Sequence, residues 1–305
     1  MKLTSILFLS FNYSKNEIET IQGCVWFYSL IKRFFKMRKT IIVTGSTDGI
    51  GKLAAMRLAK DEHEVYIHGR NASKVEKVVS EIKIESGNNH IYGLVADFSN
   101  LNTVEDLSNS LLKKLKKIDV LINNAGVFKT PVHFNSDGLD MRFAVNFIAP
   151  FVFTERLLPL LRNGNQTRII NLSSAAQATI LMEALKGKVR LTENDSYAQS
   201  KLALTMWSFN LAKTQNFCHV IAVNPGSLLN TNMVKEAYGH HWSSADKGAN
   251  ILYELAVSDA YKNRNGEYFD NDKGEVKGEF SQAHPDAYNA LKIDELMSYM
   301  HNQYL

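Results

Sequence analysis

Ile41-Ile-Val-Thr-Gly-Ser-Thr-Asp-Gly-Ile-Gly51 is the stretch on which the reading of the chain turns. Three β-branched apolar residues in succession suit a strand buried on both faces, as in a parallel sheet. Thr44 and Gly45 end that strand and Ser46 to Asp48 form a turn. Gly49, Ile50 and Gly51 then open a helix to Lys60, with Ile50, Leu53, Ala54 and Leu58 at helical spacing. Glycine at 45 permits a tight turn, and glycines at 49 and 51 let a pyrophosphate and the neighbouring strand approach the backbone. The helix start adds unpaired N–H groups and a partial positive charge, which together make an anion site. The spacing is Thr-Gly-x-x-x-Gly-x-Gly, not G-x-G-x-x-G, and a turn that merely packs a helix on a strand has a similar signature.

Outward from this stretch, strands and helices alternate. Glu64 to Gly69 reads as a second strand, followed by a helix over Ala72 to Ser86 with Val75, Val78, Val79 and Ile82 as its apolar stripe. A third strand covers Ile91 to Ala96, a helix Leu101 to Lys116, and a fourth strand Ile118 to Ile122 running into Asn123-Asn-Ala-Gly. A long helix is expected from Gly138 to Leu161, then a strand from Arg168 to Leu172, a helix from Tyr197 to Lys213 and a strand from His219 to Val223. Gly266-Glu-Tyr-Phe is a short last strand and Asp286 to Met300 a closing helix. The alternation predicts one α/β, doubly wound parallel sheet, with the ligand crevice at the C-terminal ends of its strands.

Composition narrows the function class. The chain has 305 residues, 45% hydrophobic and 22% charged, which is ordinary for a soluble globular protein. Cys24 and Cys218 make neither a disulfide framework nor a zinc-ligand pair. Residues 1–40 hold seven Lys/Arg against two Glu, so of a net charge of +4 the other 265 residues carry −1. Nothing in that body calls for nucleic acid. Residues 1–36 stand apart. Two apolar runs are interrupted by polar residues, and the second, Val25 to Ile31, is far shorter than the roughly 18 residues of a membrane span. With eight aromatics and Lys32, Arg33 and Lys36, the segment has the makings of an interfacial helix. The simpler expectation is a dispensable extension before a catalytic body at 37–305, since Met37 would itself be a natural start. A cytoplasmic protein is expected.

Tyr197-Ala-Gln-Ser-Lys201 is the second anchor. Residues at i and i+4 share a helix face, so an ammonium can sit beside a phenol. Tyrosine alone, with a pKa near 10, is a poor proton donor or acceptor at neutral pH. A neighbouring ammonium stabilises the phenolate and makes the exchange easier. Taken singly, such a pair usually marks only an amphipathic helix. Here it follows a predicted strand and the serine pair Ser173-Ser174, downstream of the glycine turn.

These elements, in this order, resemble the short-chain dehydrogenase/reductase family in its standard single-domain branch, over about Arg38 to Tyr268. The matching elements are Thr44-Gly-Ser-Thr-Asp-Gly-Ile-Gly, Asp97, Asn123-Asn-Ala-Gly, Asn146, Asn171-Leu-Ser-Ser, Tyr197-x-x-x-Lys201 and Pro225-Gly226. The resemblance implies a Rossmann fold, with Tyr197 as general acid/base and Lys201 on the nicotinamide ribose, tuning Tyr197. Ser174 would hold the substrate oxygen, and Asn146 would support a water that relays protons to Lys201. The cofactor contacts it implies are Gly45, Ser46, Thr47, Gly49, Ile50, Gly51, Arg70, Asn71, Asp97, Phe98, Asn124, Ala125, Gly126, Tyr197, Lys201, Pro225, Gly226 and Thr231. NADP(H) is expected over NAD(H). Gly69 occupies the place where an acidic residue would hold the ribose 2′-hydroxyl, and Arg70 suits a 2′-phosphate. Asp48 argues the other way, standing where many NADP-using members are basic.

Two features depart from the pattern. Thr231 lies one residue further from Pro225-Gly226 than is common in the family, which leaves its role open. Ser174 and Tyr197 are 23 positions apart, so Ala175 to Asp195 is expected to loop over the site. Similar gaps in the retinol-dehydrogenase-like reductases point to an apolar carbonyl or alcohol substrate. A second copy of the chain is a further candidate partner. His240-His241 lacks the additional ligands a zinc site needs, and no metal is expected. A non-catalytic NADP(H)-binding regulator would have no need of the full Ser174, Tyr197 and Lys201 set. A sugar-nucleotide epimerase would call for a longer C-terminal domain.

Overall fold

Alternation within the first strand already shows how the layers form. Ile41 and Val43 point to one face of the sheet and Ile42 to the other, and all three are fully buried in separate apolar clusters. The computed structural model describes residues 37–274 and 278–305, so the expectations for residues 1–36 lie outside the described residues. The strands are β1 (Thr40–Val43), β2 (Glu64–Gly69), β3 (Ile91–Val95), β4 (Val120–Asn123), β5 (Thr167–Leu172), β6 (Cys218–Asn224), β7 (Glu267–Asp270) and β8 (Glu279–Ser281). They form one sheet in the order β3-β2-β1-β4-β5-β6-β7-β8. Every pairing is parallel except β7 with β8. The chain reverses its direction of travel at β1, which lies between β2 and β4. The glycine turn after β1 therefore opens at the switch point.

One cluster joins the sheet to α1 (Gly49–Lys60), α2 (Ala72–Ser86) and α8 (Ala245–Val257). The other joins it to α3 (Leu101–Lys114), α4 (Met141–Arg162), α6 (Glu193–Thr214) and α9 (Ala290–Tyr304). Two short helices, α5 (Met182–Leu185) and α7 (Asn232–Tyr238), lie in the connections after β5 and β6. By length and hydropathy α4 is a candidate membrane span, but it carries Phe143, Phe147, Phe151 and Phe153 into the core. The doubly wound fold is the one expected.

Local chemistry shifts several boundaries. Gly138 has a φ of +77° and Asp140 caps the next turn through the Arg142 N–H, so α4 begins at Met141, not at Gly138. Within α4, Ala144–Ile148 form a π-turn centred on Asn146, where a regular helix was expected. Thr192 caps α6, which begins one turn before Tyr197. Pro285 starts a 3₁₀ turn ending at Tyr288 and Asn289 caps α9, so the closing helix begins at Ala290. Strand β8 was not expected from the sequence.

Candidate active site

The turn after β1 is held from behind by side chains of neighbouring strands. Thr44 Oγ1 accepts the N–H groups of Asn124 and Ala125, each at 3.0 Å. The Asn124 amide returns two bonds of 2.8 Å to Thr44 O and Gly45 O. Gly51 packs against this clamp, where a Cβ would lie 2.7 Å from Gly45 O. His68 adds a second clamp. Its Nδ1 accepts the Gly45 N–H at 3.1 Å, and Nε2 lies 3.2 Å from Ala96 O. Burial lowers the His68 pKa to about 4, against the pull of Ala96 O and Asp97, so the ring stays neutral and can fill both roles.

Of the expected phosphate-turn residues, Gly45, Thr47, Gly49, Ile50 and Gly51 line the turn and the start of α1. Ser46 is drawn inward. It is fully buried, donates to Val43 O at 2.7 Å and accepts the His68 N–H at 3.0 Å, so its side chain is committed to the sheet. Phe98 is also buried, its ring 4.4 Å from that of His68 and 5.5 Å from Phe153. Asp97 accepts the Ser99 N–H and hydroxyl at 2.9 and 2.8 Å. Asn71 caps α2 through the Lys74 N–H, while Arg70 is exposed beside it. A Cβ on Gly69 would lie 2.6 Å from Thr47 Cγ2, so the end of β2 has no room for a carboxylate unless Thr47 moves.

Asp48 is more occupied than its place in the motif suggested. It accepts the Gly49 N–H at 2.8 Å and the Asn232 amide at 2.6 Å, and pairs with Lys74 at 3.7 Å. Burial pushes its pKa up, but these bonds and the Lys74 charge outweigh that and hold it below the ordinary carboxylate value. Thr231 caps α7 through the Val234 N–H, and its methyl lies 3.6 Å from where a Cβ on Gly49 would be. The extra residue after Pro225-Gly226 is absorbed at Gly226 and Leu228, with φ of 119° and 45°. Thr231 thus still reaches the glycine turn. His240 and His241 lie exposed beyond α7.

Tyr197 and Lys201 share one face of α6, with the Lys201 Nζ 5.6 Å from the Tyr197 ring centre. The Tyr197 ring is half-buried and meets Phe128 edge-on at 4.9 Å. Lys201 is buried and donates to Leu172 O at 2.7 Å. Burial lowers its pKa to about 7. Asn146, on the π-turn, accepts the Val127 N–H at 2.7 Å and donates to Val127 O at 3.0 Å and Ser200 Oγ at 3.1 Å. A Cβ on Gly126 would lie 3.3 Å from Asn146 Oδ1 and 3.6 Å from Lys201 Nζ, so these three groups converge. Ser173 bonds to Lys201 O at 3.1 Å and to Thr205 at 2.7 Å. The Ala178 N–H reaches Ala198 O at 3.4 Å. The segment carrying Ser174 therefore runs along the first half of α6. Ser174 is half-buried, and its oxygen accepts the Ala176 N–H at 3.1 Å, leaving its proton to donate elsewhere.

Sequence reasoning did not single out His68, Lys74, Phe128, Gln177, Asn232 or Tyr268. His68 had a signal, as a titratable residue next to Gly69 at the end of a strand that leads toward the crevice. The others depend on contacts between parts of the chain distant in sequence, which no local pattern encodes.

A family profile described as short chain dehydrogenase matches residues 39–241. The chain is 32% identical to human polyprenol dehydrogenase over 77% of both chains. It is 31% identical to mouse retinol dehydrogenase 12, over 77% of this chain and 78% of that one. Among solved structures, a short chain dehydrogenase from Shigella flexneri 2a str. 301, complexed with NADP, superposes with a TM-score of 0.61 at 26% identity. That match covers 76% of this chain and 96% of the other. The glycine turn, the sheet order and the match over two thirds of the sequence lead to one conclusion: the chain belongs to the short chain dehydrogenase family and is an NAD(P)-dependent oxidoreductase.

Proposed function

We propose that the protein interconverts a carbonyl and an alcohol, with NADP(H) as the preferred hydride carrier and Tyr197 as general acid/base. The observation that carries this reading is the convergence of Lys201, Tyr197, Asn146 and Gly126 at the C-terminal edge of the sheet. The residues fit a nicotinamide dinucleotide. The start of α1 would offer two glycines to a pyrophosphate, and the Lys201 ammonium has three donors, of which one meets Leu172 O. Ribose hydroxyls would suit the others. The bound nicotinamide supplies or accepts the hydride.

In the reducing direction Ser174 donates its hydroxyl proton in a hydrogen bond to the substrate oxygen. Tyr197 transfers its phenolic proton to that oxygen as the alcohol forms, and the Lys201 ammonium stabilises the phenolate left behind. Asn146, fixed by both Val127 bonds, holds the region beside Lys201 in a polar geometry suited to a relaying water. Tyr197→Phe keeps the ring against Phe128, so fold and cofactor affinity should survive while turnover falls by about 10²–10⁴-fold. Lys201→Ala should lose similar activity and also bind cofactor less tightly. Near-normal turnover in Tyr197→Phe would remove Tyr197 from the chemistry.

Preference for NADP(H) rests on exposed Arg70 beside a β2 end at which Gly69 supplies no carboxylate. The Lys74 and Asn232 contacts of Asp48 answer the objection its charge raised. Arg70→Ala should weaken NADP(H) by roughly tenfold to hundredfold and leave NAD(H) little changed, from the strength of a charge-assisted bond. Equal loss for both in a fluorescence titration would show another discriminator. An apolar substrate is supported by the long β5–α6 connection and by the relatives named for polyprenol and retinol. A screen of aldehydes, ketones and quinones following NADPH absorbance identifies it.

A further inference from the structure

The main-chain carbonyl of Ser174 accepts from two side-chain donors. Tyr268, on β7, donates its hydroxyl at 2.9 Å, and Gln177 donates its amide at 2.9 Å. Gln177 is itself held, because its Oε1 accepts the His284 N–H at 3.4 Å. Two residues further on, Thr179 donates to Asp286 at 2.7 Å, and Asp286 is paired with Lys292 of α9 at 2.8 Å. The loop that begins at Ser174 is thus tied at three points to the C-terminal part of the chain. One tie comes straight from the sheet. Tyr268 is 3% exposed and its strand is paired on both sides, by β6 and β8, so its hydroxyl is a fixed point.

We infer that Tyr268 is a positioning residue for the reaction: its hydroxyl fixes the Ser174 carbonyl and so aims the Ser174 side chain at the substrate oxygen. The inference rests on the role given to Ser174 above. A carbonyl held by two donors cannot rotate its peptide plane without breaking at least one of them. The same peptide carries the Ser174 Cα, and the Ser174 oxygen is already bonded forward to the Ala176 N–H. Backbone and side chain of Ser174 are therefore both set before substrate arrives, which is the preorganisation that catalysis of this kind needs. Burial raises the Tyr268 pKa above the ordinary tyrosine value, reinforced by Asp270 on the same strand, so the group remains a donor across the working range.

Tyr268→Phe removes this one hydroxyl and keeps the buried ring, and it forms a double-mutant cycle with Ser174→Ala. NADPH-dependent reduction is measured on a carbonyl taken from the screen, with melting temperature and NADPH affinity recorded for each variant. Loss of one neutral hydrogen bond predicts a fall in kcat of about tenfold for Tyr268→Phe, with NADPH affinity unchanged. Ser174→Ala should fall by about 10²-fold or more, as for a lost oxyanion donor. The double variant should be no slower than Ser174→Ala alone, because Tyr268 acts only through Ser174. A merely structural role would instead lower melting temperature and add its loss to that of Ser174→Ala. Full activity in Tyr268→Phe, or a double variant slower by the product of both effects, overturns the inference and leaves the catalytic reading standing. Full activity in Ser174→Ala overturns the role of Ser174 and this inference with it.

Discussion

Lys201 is a buried ammonium that donates to the Leu172 carbonyl and pairs with no carboxylate among the described residues. Desolvation therefore dominates and lowers its pKa from 10.5 to about 7. The unfolded chain holds this proton up to about pH 10.5, whereas the folded protein releases it near 7. Between those values the unfolded state binds more protons, so stability rises with pH. Below about pH 7 both states are protonated and the burial cost is present in full. The cofactor-free protein should thus gain stability relative to Lys201→Met as pH rises from about 7 to about 10. Urea melts at several pH values check this, and a constant difference between the two proteins would mean that Lys201 does not titrate there. The cost also has a functional meaning. A phenolate at Tyr197 beside this ammonium offers it the counter-charge the resting site lacks.

At the scale of elements, the β1–α1 turn was the most legible part, because a glycine's reason for being there is local. Gly51 faces Gly45 O and the Asn124 amide, so Gly51→Ala drives a methyl into the Gly45 carbonyl and the Asn124 side chain. It should cost roughly 1–3 kcal/mol as an overpacked site, lowering the melting temperature by several degrees and weakening NADPH. An unshifted melting curve would show that the turn yields easily. Helices with strong stripes were equally readable: α2 was expected and found at Ala72–Ser86, because Val75, Val78 and Ile82 repeat at helical spacing. The π-turn at Asn146 was not, since one extra residue per turn hardly disturbs an apolar run that is buried all round. Strand β8 is three residues long and has no period to read. In the site, Tyr197, Lys201 and Asn146 were legible as residue types, and the fold places them close together. Which way a side chain faces was less so. Ser46 and Phe98 belong to the motif but turn into the sheet, because β2 supplies an N–H and a ring for them to pack on. Tyr268 was readable as a strand residue only, its partner lying 94 positions away.

For the whole molecule, the question with the largest consequence is where the catalytic body starts. From Lys39 onward the first residues are anchored within that body. The Thr40 N–H donates to Asp119 at 2.7 Å, the Lys39 N–H to His63 at 3.3 Å, and the Lys39 ammonium to Asn165 O at 3.2 Å. Asp119 is fully buried and also accepts the Asn165 N–H at 2.7 Å and the Lys117 ammonium at 2.8 Å. The lower edge of the sheet therefore closes on the side chains of Lys39, His63, Lys117 and Asp119, just before β1, β2 and β4, and on the backbone of Thr40 and Asn165. A chain beginning at Met37 should then be soluble, melt as one transition and bind NADPH with unchanged affinity. The full chain and the shortened one, compared by sedimentation with vesicles containing anionic lipid, also test the alternative role of residues 1–36. Their aromatics and the cluster Lys32, Arg33 and Lys36 would carry the full chain down with the vesicles if they form an interfacial helix. Equal behaviour of the two proteins makes the segment dispensable in both respects, whereas aggregation of the shortened chain would make it part of the fold.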